Sequence, residues 1–232
     1  MKRDLICRHG GGEWLLARHD MVTASECGAV LGMLPEKWGR NRETVIASKR
    51  TAAPEELAQS RSMWWGTEDE RDNLRKFSLL TGLRVRQSHA MYRAPGFPRV
   101  GATLDGICAV PRGWTPDAVN LIGVLEASRP EQLEEMERLA DEVAMHGRLG
   151  LVEAKLTSQF SVKEWAAGCP EWYEAQVQIQ LLCAGLRWAA LVCRIGSADM
   201  RWRTISLDEE RARAYAAEMQ ATAEEALAGR NR

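Results

Sequence analysis

The chain lacks any long uncharged apolar run, and its opening, Met1-Lys2-Arg3-Asp4-Leu5-Ile6-Cys7, is followed by His9 and three glycines without a small-residue cleavage site. A membrane span needs about 20 apolar residues and a secretory leader an apolar core. Neither is expected, so the protein reads as cytoplasmic with no membrane partner. It also lacks any Cys-x-x-Cys pair: Cys7, Cys27, Cys108, Cys169, Cys183 and Cys193 are scattered. Zinc and iron–sulfur spacings are therefore missing, and buried free thiols are the expectation. Charge of one sign is lacking too, the net being −1. Yet residues 1–100 carry 17 Lys/Arg against 12 Asp/Glu, and residues 101–232 carry 14 against 20, so a nucleic-acid surface would draw on the first half. What is there, 232 residues of which 45% are hydrophobic, suffices for one ordinary core.

The most informative stretch is Gly150-Leu151-Val152-Glu153-Ala154-Lys155-Leu156-Thr157-Ser158. As a strand, its period of two puts Glu153 and Lys155 on one face and Ala154 on the other. A carboxylate can ligate Mg²⁺, and a neighbouring ammonium can orient a water or balance charge on a phosphate. An exposed strand-end ion pair is the plainer alternative. Val124-Leu125-Glu126-Ala127-Ser128 echoes the pattern with serine in place of lysine, so the second copy is taken as the active one.

Other segments supply company for that pair. Trp14 to Arg18 suggests a short helix, and Thr23 with Glu26 is a capping-box signature for a helix running from Ala24 to near Gly32. Ser25 in its first turn and Arg18 just upstream then suit an anion, or are simply polar surface. Residues 35–62 hold Lys37, Arg40, Arg42, Lys49 and Arg50 with a helix near 43–49, which fits a phosphate track or a loop. After Met63-Trp64-Trp65-Gly66, Leu74, Phe77 and Leu80 mark a helix whose apolar stripe shares a face with Glu70. A strand is expected at 84–87 and another over 100–110. Asp105 precedes a glycine in the latter, where a lone carboxylate needs a partner or a bulge. Residues 111–148 read as an insertion whose amphipathic helix, 130–146, is acidic: Glu126 to Glu142 holds seven carboxylates against two arginines. The expectation is a surface element or a protein contact, because such a face repels DNA. Pro170 and Gly185 bracket a helix with Gln176 and Gln180 on one face, and 188–194 with 200–205 reads as a hairpin. Ser206 and Glu209 form a second capping box for a helix over 208–227.

Arg18, Thr23-Ala24-Ser25, Glu70 in Trp-Gly-x-x-x-Glu, Asp105 in Leu-Asp-Gly, Glu153-Ala154-Lys155 and Tyr173-Glu-Ala-Gln176-Val-Gln occur here in that order. Together they resemble the YqaJ-type viral recombinases, the phage lambda exonuclease group of the PD-(D/E)xK nucleases, from about Arg18 to Ile205. The resemblance implies an α/β fold, a restriction-endonuclease-like core with a mixed central β-sheet flanked by α-helices. It implies a single exonuclease domain over 1–232 that degrades one strand of linear double-stranded DNA from its 5′ end with Mg²⁺, or Mn²⁺ in its place, one or two ions per site. The product would be a 3′ overhang for recombination by single-strand annealing.

Carried over, Asp105 and Glu153 would ligate the metal with the Ala154 carbonyl, Lys155 would position water, and Glu70 and Gln176 would complete the shell. Arg18 and Ser25 would hold the 5′-phosphate, and Met63 would be the wedge that splays the strands. Relatives form a trimeric ring and work with a single-strand annealing protein. Two departures stand out: Tyr92-Arg93 is followed by Ala94-Pro95 where some relatives have an acidic residue near the second metal, and 111–148 is atypical. A related nuclease of other polarity, a structure-specific endonuclease, or a DNA-end-binding module without cleavage are the alternatives.

Overall fold

The strand Trp188-Ala-Ala-Leu-Val-Cys-Arg-Ile195 is apolar on both faces, and the fold explains why. The computed structural model describes residues 4–51, 61–116, 131–158, 165, 168–196 and 199–230, without the side chains of 61–67 and 131. The strand lies inside a five-stranded sheet, with Ala189, Leu191, Cys193 and Ile195 in one apolar cluster and Trp188, Ala190 and Val192 in another. A pleated strand covered on both sides must be apolar at successive positions.

In chain order the strands are β1 (Asp4–Arg8), β2 (Val22–Thr23), β3 (Arg84–Gln87), β4 (Ala90–Ala94), β5 (Phe97–Thr103), β6 (Gly106–Ala109), β7 (Leu149–Thr157), β8 (Trp188–Ile195) and β9 (Asp199–Ser206). The helices are α1 (Gly12–His19), α2 (Cys27–Val30), α3 (Arg42–Arg50), α4 (Arg61–Thr81), α5 (Glu131–His146), α6 (Glu171–Ala184) and α7 (Glu209–Arg230). One sheet runs β3-β6-β7-β8-β9 and the other β1-β4-β5-β2. Each is antiparallel except for one parallel pair, β7 with β8 and β2 with β5. The result is mixed α/β, as expected. No helix among the described residues is long and apolar enough to cross a membrane.

Two glycines are dictated by geometry. A Cβ at Gly150 would lie 2.4 Å from the Trp188 indole, so only glycine lets β7 start beneath that ring. Gly185 ends α6 in the left-handed region at φ 62°, where glycine carries no steric penalty. Helix α4 packs Leu74 and Phe77 into the second cluster, each burial worth roughly 1.5–3 kcal/mol. Arg194 on β8 holds the same helix by Asp69 at 2.6 Å and Asp72 at 3.5 Å. Helix α7 presents Ala212, Ala216, Met219, Ala223 and Ala226, all buried, at alternating helical spacings of four and three.

Four expectations change. The helix expected from Ala24 is a 3₁₀ turn, Ala24–Glu26, followed by the four-residue α2. Glu26 does reach back to the Thr23 amide, at 2.8 Å, but so short a helix has little dipole with which to hold an anion. The strand expected over 100–110 is broken at Leu104-Asp105, where Leu104 N–H bonds the Ala90 carbonyl and Asp105 C=O accepts from Ser88. Ser206 does not cap the last helix; its hydroxyl donates to Glu142, and Asp208 caps instead by accepting from Arg211 N–H at 3.0 Å. Finally, α5 is not a surface appendage. Its Met136 and Leu139 are fully buried, and its Gln132 and Glu135 accept the outward N–H groups of Trp202 and Thr204 at 2.8 and 2.7 Å. Strand β9 is the sheet's edge, so two polar side chains of α5 satisfy backbone donors that would otherwise stay free for another strand. Residues 117–130, which include the Glu126 echo, lie outside the described residues.

Candidate active site

The pairing of β6 with β7 stops at Gly106–Val152, and the candidate site begins there. Beyond that point the Ala154 N–H is met by a side chain, Asp105 Oδ2, at 2.9 Å. In an extended strand the N–H and C=O of one residue point to the same edge, so the Ala154 carbonyl lies on the edge that β6 has left. Glu153 and Lys155 occupy the opposite face from Ala154, as the period of two requires, and look toward α6.

Glu153 is 2% exposed and accepts hydrogen bonds from three side chains: Lys155 Nζ at 2.6 Å and Gln176 Nε2 at 2.5 Å on Oε1, and Gln180 Nε2 at 2.6 Å on Oε2. Lys155 also donates to Gln176 Oε1 at 3.2 Å and lies 4.9 Å from the centre of the Tyr173 ring. Glu70, from the inner face of α4, accepts from Gln87 Nε2 at 3.0 Å.

The electrostatics tie these groups together. Burial, then the Glu153 and Glu70 carboxylates, push the Asp105 carboxyl well above its ordinary range. Burial, opposed by the Gln87 hydrogen bond and joined by Glu153, raises Glu70 as well. Burial pulls the Lys155 ammonium down, but Glu153 and Asp105 more than reverse this and the group ends above its ordinary value. Carboxylates crowded in a low-dielectric site beside one ammonium fit a small hard cation, which takes oxygen donors and removes the repulsion. Among the described residues, however, no three His, Cys, Asp or Glu side chains are gathered as a ligand set. The donors that fit a cation here are two carboxylates, Asp105 and Glu153, and the Ala154 carbonyl on its open edge.

The same cleft, about 1190 Å³, reaches Arg18 and Ser25. Arg18 Nη2 is 3.5 Å from Ser25 Oγ, whose hydroxyl is exposed and 3.2 Å from Thr23 Oγ1. The guanidinium lies 4.8 Å from the centre of the Trp14 ring, and Trp14 Nε1 donates to Thr103 Oγ1 at 3.0 Å. Beneath them Lys49 bonds Glu26 at 2.8 Å and the Arg18 carbonyl at 2.6 Å, a buried tie between α1 and the 24–26 turn. Of the basic residues expected to form a phosphate track, Arg40 lines this cleft. Lys49 is spent on Glu26, and Arg42 and Arg50 bond Glu225.

The structure thus brings Glu70, Asp105, Glu153, Lys155, Gln176, Arg18 and Ser25 to one cleft. The Met63 side chain lies outside the described residues. Sequence reasoning did not pick out His9 and His89, which also line the cleft with ring centres 5.9 Å apart, nor Gln87 and Thr103. Gln87 stands in the expected strand 84–87 as a polar residue; the histidines carry no spacing that could have revealed them.

Comparison with known proteins places this geometry in context. The sequence profile of the YqaJ-like viral recombinase domain matches residues 13–187. The chain is 24% identical over 201 residues to the uncharacterized protein YqaJ of Bacillus subtilis strain 168, covering 85% of this chain and 50% of that protein, so it spans about half the length of this curated relative. Its fold is similar to the alkaline exonuclease LHK-Exo from Laribacter hongkongensis, with TM-score 0.63 and 20% identity, and to LHK-Exo in complex with dAMP, with TM-score 0.66 and 21% identity, each over 95% of both chains. It is also similar to a phage related exonuclease from Haemophilus somnus 129PT, with TM-score 0.53 and 10% identity over 89% of this chain and 92% of that one.

Proposed function

Because the chain belongs to the YqaJ-like viral recombinase family, we propose that it is a divalent-metal-dependent exonuclease that degrades the 5′-ended strand of linear duplex DNA. The observation that carries this reading is the sharing of one cleft by Asp105, Glu153 and Lys155 with Arg18 and Ser25. Carboxylates and an ammonium suit phosphodiester hydrolysis; a guanidinium and an exposed hydroxyl suit a terminal phosphate.

In this reading Asp105, Glu153 and the Ala154 carbonyl hold Mg²⁺ or Mn²⁺, with Glu70 at the margin. The cation would supply positive charge to the phosphoryl oxygens and acidity to an attacking water. Lys155, kept protonated by the surrounding carboxylates, orients that water by donation and offsets phosphate charge; Gln176 fixes both Lys155 and Glu153. Arg18 and Ser25 hold the 5′-phosphate, so hydrolysis starts from an end, and Met63 would part the strands. The working protein would be one domain assembled as a trimeric ring in the cytoplasm, leaving 3′ overhangs for a single-strand annealing protein.

The test is to incubate end-labelled linear and closed circular duplex with Mg²⁺. Release of label from the 5′ end of linear DNA alone is expected. Glu153→Ala and Lys155→Ala should lower the rate by at least about 10²–10³-fold, the scale of losing one charge-stabilising group. Nicking of the circle, or full activity in either variant, would refute the assignment.

A further inference from the structure

We propose that Gln180 is a positioning residue that aims Glu153 at the cation by tying it to the end of the strand that delivers Asp105. This rests on the metal centre proposed above. Gln180 is 1% exposed, and its amide nitrogen donates twice, to Glu153 Oε2 at 2.6 Å and to the Thr103 carbonyl at 3.2 Å. Thr103 ends β5, two residues before Asp105. One NH₂ group therefore spans the two segments that carry the candidate ligands.

Lone pairs decide what that span does. Glu153 Oε1 already accepts from Lys155 and Gln176, which uses both of its acceptor directions. Oε2 accepts from Gln180 alone, so it is the oxygen with a direction left for a cation, and Gln180 sets where that direction points. The amide has no freedom to turn over: both of its partners are acceptors, so the nitrogen must face them. Its own Oε1 has no partner among the described residues, which leaves donation as the whole of its contribution. A group that orients a metal ligand in this way typically governs metal affinity by 10–100-fold.

Gln178 provides the control, since it sits two residues away on α6, is 2% exposed and makes two hydrogen bonds, to the Ser206 carbonyl and from Asp208 N–H, both at 2.9 Å. Mn²⁺ is titrated into the DNA-free protein and free Mn²⁺ is followed by its electron paramagnetic resonance signal. Gln180→Met is expected to bind Mn²⁺ about tenfold more weakly than the wild type or worse, and Gln178→Met to stay within about twofold. Equal affinity of Gln180→Met and wild type overturns the clamp, as does an equal loss in both variants. If Gln180→Met does not fold, Gln180→Asn, which keeps the amide but is too short for both acceptors, is read in the same titration. A loss of about threefold or more supports the clamp and wild-type affinity overturns it. A wild-type protein that binds no Mn²⁺ removes the metal centre and the clamp together, whereas wild-type binding unaltered by Gln180→Met removes the clamp alone.

Discussion

Two Glu–Lys pairs reach the same cleft, Glu153 with Lys155 at 2.6 Å and Glu26 with the buried Lys49 at 2.8 Å, and the charge around their lysines is opposite. Lys49 ends below its ordinary value because burial prevails and Arg18 and Arg230 repel it, against a single carboxylate. Lys155 ends above its ordinary value because two carboxylates, Glu153 and Asp105, outweigh the effect of burial. The lesson is that the ion pair as such says little about role. What separates a scaffold from a candidate site is the sign of the charge left over: the Glu26 pair has an excess of cations around it, and the Glu153 pair an excess of anions that a metal would complete.

The largest expected effect separates the pairs by their response to metal. Lys49→Met leaves Glu26 buried without its cation, which should cost about 3–5 kcal/mol in chemical denaturation, unchanged by Mg²⁺. Lys155→Met should also destabilise, but Mg²⁺ should restore part of that loss by supplying the missing positive charge. Equal responses to Mg²⁺ would erase the distinction. Arg18→Ala is expected to reduce cleavage of 5′-phosphorylated ends by about tenfold, the scale of one charge-assisted contact, with little change on 5′-hydroxyl ends. Equal losses on both ends would remove Arg18 from the phosphate site while leaving the scaffold beneath it intact.

The smallest expected effect is a pH dependence of opposite sign at the two places. Burial works against Glu26, but Lys49 and Arg18 more than offset it and the carboxyl ends below its ordinary value. Its stabilisation is therefore full above the ordinary carboxylate range and lost as pH falls through the folded value. Asp105 and Glu70 are raised, so without metal their contribution opposes folding progressively as pH rises above that range. In EDTA near pH 8, Asp105→Asn should raise the melting temperature by about 2–4 °C, the size of a roughly 1 kcal/mol effect in a chain of this length. The gain should vanish as pH falls to the ordinary carboxylate range. A variant that melts lower than wild type at pH 8 would mean that the three carboxylates do not strain one another.

Much of this arrangement was legible in local patterns. The alternation in Gly150–Ser158 placed Glu153 and Lys155 together, the helical spacing placed Gln176 beside Gln180, and the strand 84–87 lies where its composition put it. Strand β1 was not legible, since its partner β4 is distant in sequence; β4 pairs locally with β5, Ala94 opposite Phe97, and was missed nonetheless. Ser206 and Glu209 have the spacing of a capping box, yet Glu142, 64 residues earlier, claims the serine hydroxyl. The acidic stripe of α5 suggested a surface element or a protein contact, and the edge of β9 turned two of its polar side chains inward.

The sequence by itself determined which chemistry each element carries, because periodicity fixes which neighbours share a face of a strand or a helix. Only the tertiary structure decided that β6 parts from β7 after Val152, that Asp105 fills the gap against Ala154 N–H, and that Gln180 bridges β5 and Glu153. Those hydrogen bonds join residues 27 to 77 positions apart, and no local spacing encodes them. They arise when burial of apolar surface brings the strands together and the remaining polar groups must find partners out of water.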